Sequence, residues 1–281
     1  MVSVEYQHRS DLFQLGMDRA MIDAAVASGE LIRARRDHYL RGDTADAIVR
    51  AVRVGGRLTC LSLLSLLTVF VLHNRHLHVH LPRTASRMRS PHSRRRPLEP
   101  ARRRGVRLHW LPLHSPPGKF ACIAITDALA HAVLCQAPRA AIATLDSALH
   151  KGLVEVWQLA DVFRNLPARY GVLLPLVDGR AESGPETLMR LMLRGLGCDV
   201  QLQVPFEGIG RVDLLVDGWL VIECDSEEFH TGWESQERDR RRDVLLAGRG
   251  FTTLRPTASM IMFEPARVLE AVKRLLAGHA R

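Results

Sequence analysis

The sequence has no long uninterrupted apolar run. The longest, Leu58 to Leu72, is broken by Thr59, Ser62, Ser65 and Thr68. It falls short of the roughly twenty apolar residues that span a bilayer, so a buried core helix and no membrane partner are expected. The opening MVSVEYQHRSDLFQL is polar and has no signal-peptide core. Five cysteines, Cys60, Cys122, Cys135, Cys198 and Cys224, form an odd set without a CxxC pair. That excludes a recognisable disulfide framework or zinc ribbon and points to isolated thiols in a reducing, cytoplasmic setting. Neither an internal repeat nor a phosphate-cradling glycine loop is present.

What the chain does have is an ordinary globular composition, 47% hydrophobic and 25% charged, over 281 residues, room for two or three domains. Its net charge of +9 is local: ten arginines and one acid, Glu99, lie between Arg83 and Arg107, and the other 256 residues are formally neutral. A localised arginine cluster, with Arg94, Arg95, Arg96, Arg102, Arg103 and Arg104 at its centre, suits phosphate contacts and salt-sensitive nucleic-acid binding. The alternative is a solvated basic loop. Pro91, Pro97 and Pro100 interrupt the stretch, so a loop or linker is expected across residues 83–107.

The first forty residues read as helix, helix, hairpin. Ser10 starts a helix that Gly16 ends. Asp18 caps a second, with Met21, Ile22, Ala25 and Val26 at helical spacing, and Gly29 stops it. Leu31–Ala34 and His38–Leu40 then flank a basic turn, Arg35-Arg36-Asp37. This is the layout of a winged helix, in which the second helix, bearing Arg19, enters a groove and Arg35 and Arg36 meet phosphates. Residues 44–73 read as two helices around Gly55-Gly56. His76-Leu77-His78-Val79-His80 alternates as a strand with its histidines on one face, a spacing able to ligate a transition metal. A half-exposed strand with its histidines outward is the preferred reading. Residues 122–178 are expected to be largely helical, with Leu145, Leu149, Val154, Leu159, Val162 and Phe163 in the core.

From Glu182 onward the pattern is helix, three strands, helix, strand, helix. Asp213 and Glu223 are charges inside apolar strands, and burying carboxylates is costly without compensation, most simply by a cation. Hairpin register decides whether they meet. A two-residue loop, Asp217-Gly218, sets Asp213 opposite Ile222. A three-residue loop, Val216-Asp217-Gly218, sets it opposite Val221 and turns Asp213, Glu223 and Asp225 to one face. The second register is expected, because it gathers three carboxylates for a hard cation such as Mg²⁺ or Mn²⁺.

The segment GRVDLLVDGWLVIECDSEEFH, with ERDRRRDVLLAGRGFTTLR after it, resembles the very-short-patch-repair-endonuclease-like family of the PD-(D/E)xK nuclease superfamily. Residues 1–180 resemble, more loosely, AbiEi-like antitoxins, with Asp37 where the wing turn usually has glycine. The resemblance implies an α/β chain in three parts. These are a winged helix at 1–42, a mixed α/β region at 43–180, and a restriction-endonuclease-like αβββαβα domain at 181–281. It implies metal ligation by Asp213, Glu223 and the Cys224 carbonyl, and places Asp225 at the superfamily lysine position. His230 would then serve as base or proton shuttle. Glu186 matches a helix carboxylate of such sites, although Ser183-x-x-Glu186 is equally a capping box. Asp239, Arg242 and Asp243 match the family helix, where they would orient the site or meet phosphate; the alternative for all three is an exposed salt-bridged helix face. Trp233 would stack on a base or pack beside the sheet. The implied activity is metal-dependent cleavage of DNA, RNA not being excluded. The alternative is a non-catalytic DNA-binding regulator, the antitoxin of a type IV toxin–antitoxin-like system, with a toxin protein or its own promoter as partner.

Overall fold

Local capping builds the first elements of the computed structural model, which describes residues 4–99, 105–114, 118–225 and 233–279, the side chains of 233–236 excepted. Helix α1 (Arg9–Gln14) begins one residue before the expected Ser10. The Asp18 carboxylate accepts the Met21 amide at 2.8 Å and opens α2 (Arg19–Ser28), and Gly29, at φ 84°, closes it. Strands β1 (Leu31–Arg35) and β2 (His38–Arg41) pair antiparallel. Asp37 takes the left-handed conformation, φ 62°, that the wing turn demands. Leu12, Ile22 and Tyr39 form the small core beneath.

The chain divides into two units, residues 1–137 with 152–175 and residues 138–151 with 176–281. The first continues with α3 (Asp46–Val54), β3 (Arg57–Leu58), α4 (Cys60–Leu66), β4 (Leu77–His80), β5 (Arg89–Ser90), β6 (Ser93–Pro97), β7 (Val106–His109) and α5 (Ile125–Cys135). The long apolar run is thus a strand end and a seven-residue helix, because Thr68 turns left-handed at φ 57° and ends the helical path. Strands order β3-β4-β7, with β4 parallel to β7 so that His80 lies beside His109. The arginine-rich stretch is not simply a loop. It holds the β5–β6 hairpin and β7, since Pro91 falls at the turn, Pro97 ends a strand, and Leu98 and Val106 are buried. Arg102, Arg103 and Arg104 lie outside the described residues.

Helix α6 (Pro138–His150) belongs to the second unit, although its sequence position falls within the middle region; α7 (Leu159–Arg164) returns to the first. The second unit then runs α8 (Gly184–Arg194), β8 (Val200–Phe206), β9 (Gly210–Val216), β10 (Leu220–Ile222), α9 (Trp233–Gly248), β11 (Thr252–Leu254), α10 (Ala258–Phe263) and α11 (Pro265–His279). A buried charge pair explains the placement of α6. Asp146 accepts from Arg190 at 2.9 Å and from Thr187 at 2.8 Å, both on α8, and from the Asp178 amide at 2.7 Å. The sheet order is β11-β10-β9-β8, with β10 parallel to β11 and the other pairs antiparallel. Val268 and Val272 of α11 are buried as expected; Leu269, Leu275 and Leu276 are only partly so. The architecture is mixed α/β with several small sheets. No described helix is long and apolar enough to cross a membrane.

Candidate functional site

The β9–β10 hairpin turns one residue later than expected. Val216 pairs with Leu220, so the loop is Asp217-Gly218-Trp219, and Val221 faces Leu215 rather than Asp213. The reason is local: Asp217 and Gly218 both adopt left-handed φ, 49° and 77°. Asp217 is also tied to Asp199 by two hydrogen bonds, accepting its amide at 2.8 Å and donating to its carbonyl at 3.0 Å. Carried one pair further, this register sets Asp213 opposite Glu223. Opposed residues share a face, and Asp225 follows on that face two positions on, so the grouping of the three carboxylates survives the shift.

Each carboxylate is held by one oxygen. Asp213 Oδ2 accepts the Cys224 amide at 2.8 Å, and Glu223 Oε1 accepts Arg242 Nη2 at 2.8 Å. Asp225 Oδ1 accepts Arg255 Nη1 at 3.2 Å, and Arg255 also grips Asp243. Glu186 Oε2 accepts the Glu182 amide at 2.9 Å and Gln203 Nε2 at 2.7 Å. Among the described residues, no hydrogen bond reaches the second oxygen of Asp213, Glu223 or Asp225. Burial pushes the Glu223 carboxyl up to about 7, and the Asp213 charge adds to the rise. Asp213 is raised by burial against the pull of the Cys224 amide, and Glu186 by burial and then by Asp213.

Half of the expected capping box at Ser183 and Glu186 forms. Ser183 caps α8 by accepting the Glu186 amide, while the Glu186 side chain turns to Gln203 and Glu182 instead of closing a box on Ser183. Arg242 Nη2 donates to Glu223 and to the Arg211 carbonyl, giving the buried carboxylate a counter-charge. Arg255 and Gln203 were not singled out from sequence. Gln203 carries a detectable oddity only in the fold, a left-handed φ of 54° within β8. His230 lies outside the described residues, as does the Trp233 side chain.

In the first unit the histidines point inward, contrary to expectation. His76 precedes β4 and is exposed, whereas His78 and His80 are buried, because β4 lies between β3 and β7 in the middle of its sheet. They meet Cys60 at the start of α4, His109 at the end of β7, His131 in α5 and Cys135 at its end. His78 Nδ1 lies 3.0 Å from His109 Nε2, and Cys135 Sγ 4.0 Å from the same nitrogen. Ligand atoms of Cys60, His78, His109 and Cys135 all lie within 4.8 Å of one another, a set that could hold a metal. Burial lowers the pKa of His78 and His80 and takes His131 down to about 3, so these rings are neutral. Burial raises Cys60, whose thiol hydrogen bond to Cys135 is the main cause of that group's lowered pKa.

Among the expected nucleic-acid contacts, Arg19, Arg36, Arg95 and Arg96 are exposed and Arg94 is half-buried. Arg9, Arg19, Arg33 and Tyr39 line a cavity of about 270 Å³. Arg35 is diverted inward. Its guanidinium donates to the Val54 carbonyl at 3.0 Å and the Arg87 carbonyl at 3.1 Å, satisfying groups at the end of α3 and in the arginine-rich stretch.

No family model matches the chain. It is 30% identical over 279 residues to "Uncharacterized protein MT2308" of Mycobacterium tuberculosis (strain CDC 1551 / Oshkosh) and, equally, to "Uncharacterized protein Rv2248" of strain ATCC 25618 / H37Rv. The match takes in 92% of this chain and 97% of each relative. The chain belongs to their family. The similarity runs through both units of this chain. Neither relative's name states an activity.

Proposed function

We propose that the protein is a metal-dependent DNA endonuclease whose phosphodiester-cleaving site is the carboxylate group of the second unit. The observation that carries this reading is the closeness of Asp213 in β9 to the buried Glu223 just past the end of β10, with Asp225 beside them. Burial raises both carboxyls, and the Asp213 charge adds to the rise at Glu223. The αβββαβ order of the unit and its resemblance to the very-short-patch-repair-like nucleases support a restriction-endonuclease-like core. The helix–helix–hairpin at the amino terminus supports a winged helix that binds DNA.

The chemistry of the donors supports a hard cation. All the donors are oxygens, and one oxygen each of Asp213, Glu223 and Asp225 is left unbonded by the described residues. Asp213, Glu223 and the Cys224 carbonyl would hold magnesium or manganese. Such an ion supplies Lewis-acid polarisation of a phosphate oxygen and acidifies a bound water. Asp213 is oriented by the Cys224 amide, and Glu223 by Arg242. Glu186, whose carboxyl is raised by burial and by the Asp213 charge, is one candidate proton acceptor, and His230 is the other. Arg255 supplies positive charge beside Asp225, where the superfamily has lysine.

A non-catalytic DNA-binding regulator is the second reading. It is favoured by Arg242 and Arg255, which already counter Glu223 and Asp225 without a metal. Plasmid nicking separates the two. The endonuclease reading expects Mg²⁺- or Mn²⁺-dependent nicking by the wild type, abolished in Asp213→Asn/Glu223→Gln while DNA binding is kept. Equal DNA binding by both proteins, with no metal-dependent nicking by either, overturns it in favour of the regulator.

A further inference from the structure

The buried face of the β4–β7 sheet presents a chemistry unlike that of the carboxylates. Cys60, His78 and His109 are 0%, 4% and 7% exposed, and Cys135 is half-buried beside them. His80 and His131 add two further imidazoles. His131 stacks on His109 with centroids 4.7 Å apart, and Thr59 Oγ1 lies 2.6 Å from its Nδ1. Buried polar side chains normally end in hydrogen bonds, yet His80 Nδ1 has none. His78 and His109 turn ring nitrogens toward each other at 3.0 Å. In a metal-free core only one of that facing pair can carry a proton without a clash of N–H groups. A cation between them uses both lone pairs.

We propose that Cys60, His78, His109 and Cys135 form a closed, tetrahedral structural site for a borderline-soft divalent cation, zinc before others. Zinc bonds of about 2.3 Å to sulfur and 2.0–2.1 Å to nitrogen imply tetrahedral edges of roughly 3.3–3.8 Å. The observed separations, 3.0 Å and 4.0 Å with all ligand atoms within 4.8 Å of one another, bracket that range, so small side-chain adjustments complete the geometry. Two thiolates and two neutral imidazoles leave the zinc complex with no net charge, which lowers the cost of burying it. Sulfur and imidazole ligands select against magnesium and calcium.

The protein supplies all four ligands and no open position, so the site is structural rather than catalytic. It joins α4, β4, β7 and α5, four elements that sequence separates widely. Even the nearest ligands, Cys60 and His78, lie eighteen positions apart. The metal's binding free energy is therefore folding free energy for the first unit. The site is independent of the nuclease reading, because its ligands are in a different unit and of different chemistry.

The test uses the full chain produced with zinc supplementation and purified under reducing conditions. Metal analysis is expected to give one zinc per chain, retained in Asp213→Asn/Glu223→Gln and lost in Cys60→Ser/Cys135→Ser. X-ray absorption on the wild type removes dependence on whether the cysteine variant folds. Two sulfurs near 2.3 Å and two nitrogens near 2.0 Å are expected. Cobalt exchanged into the wild type should give the visible bands of a tetrahedral thiolate complex. A folded wild type without stoichiometric zinc, a shell of oxygen ligands alone, or a Cys60–Cys135 disulfide without bound metal overturns the proposal.

Discussion

Replacing Glu223 with glutamine should change how the second unit's stability depends on pH, in a direction opposite to the usual behaviour of a carboxylate. Most paired carboxylates are held low in the folded protein and stabilise it as pH rises. Glu223 is pushed up instead, from 4.5 to about 7, by burial and then by Asp213. The folded state thus binds this proton more tightly than the unfolded chain. Its contribution is complete below the unfolded value of 4.5 and is lost as pH rises through about 7. At about 1.36 kcal/mol per unit, the shift amounts to roughly 3 kcal/mol between about pH 4 and pH 8. The side chain is only 8% exposed, so solvent screens little of this. Asp213, Glu186 and Asp146 are raised too and move in the same direction, so the wild type alone falls further. Glutamine cannot ionise but keeps an oxygen for Arg242, and the comparison isolates one group within a coupled set. Urea unfolding in a chelator at a series of pH values gives the difference. Wild-type stability minus that of Glu223→Gln should fall by roughly 3 kcal/mol across the window. A difference that is flat, or that grows with pH, refutes the reasoning. Magnesium at a hundred times its Kd should then restore about 2.7 kcal/mol to the wild type at high pH, and little to the variant.

Three further outcomes follow from named contacts. Asp146→Ala strands the buried Arg190 guanidinium, whose side chain is 2% exposed, and should cost about 3–5 kcal/mol in urea unfolding, with much of that recovered when Arg190 is also replaced by methionine. Gly55→Ala should destabilise the first unit by about 1–3 kcal/mol, read as a lowered Tm. Gly55 sits at φ 110°, and its added Cβ would lie 1.9 Å from Arg35 Nη1, breaking that side chain's bonds to the Val54 and Arg87 carbonyls. If the β6 arginines meet phosphate, Arg95→Ala/Arg96→Ala should lower DNA affinity evenly across sequences and reduce the log–log salt slope by roughly two, measured by fluorescence anisotropy.

Much of the second unit was legible before its structure. Ser183 before Pro185, the apolar strand around Asp213, the turn at Asp217-Gly218 and the apolar positions of α11 are signals read within a few residues, and they foretold the order of every element from α8 onward except the short α10. The shared face of Asp213, Glu223 and Asp225 was legible for the same reason, since alternation within a strand survives a misplaced turn. The register itself was not, because it depends on left-handed φ at Asp217 and on that residue's hydrogen bonds to Asp199, a neighbour in β8.

At the amino terminus, Asp18, Gly29 and the 35–37 turn marked the helix and hairpin boundaries, because caps and turns act on the backbone groups nearest them. The partners of Arg35, Arg242 and Arg255 were out of reach of such signals. A guanidinium follows the nearest unsatisfied carbonyl or buried carboxylate in space, and charge counting cannot tell an exposed arginine from one turned inward. The grouping of α6 with α8 rests likewise on Asp146 and Arg190, forty-four positions apart. Sequence alone determined the capped helices and turns at the amino terminus, the localised basic charge and the carboxylates set among apolar residues. Only the tertiary structure decided that His78 and His80 face inward and meet Cys60, His109 and Cys135. The parallel pairing of β4 with β7 makes His80 and His109 neighbours, and no periodicity in the chain encodes a contact between strands that long segments separate.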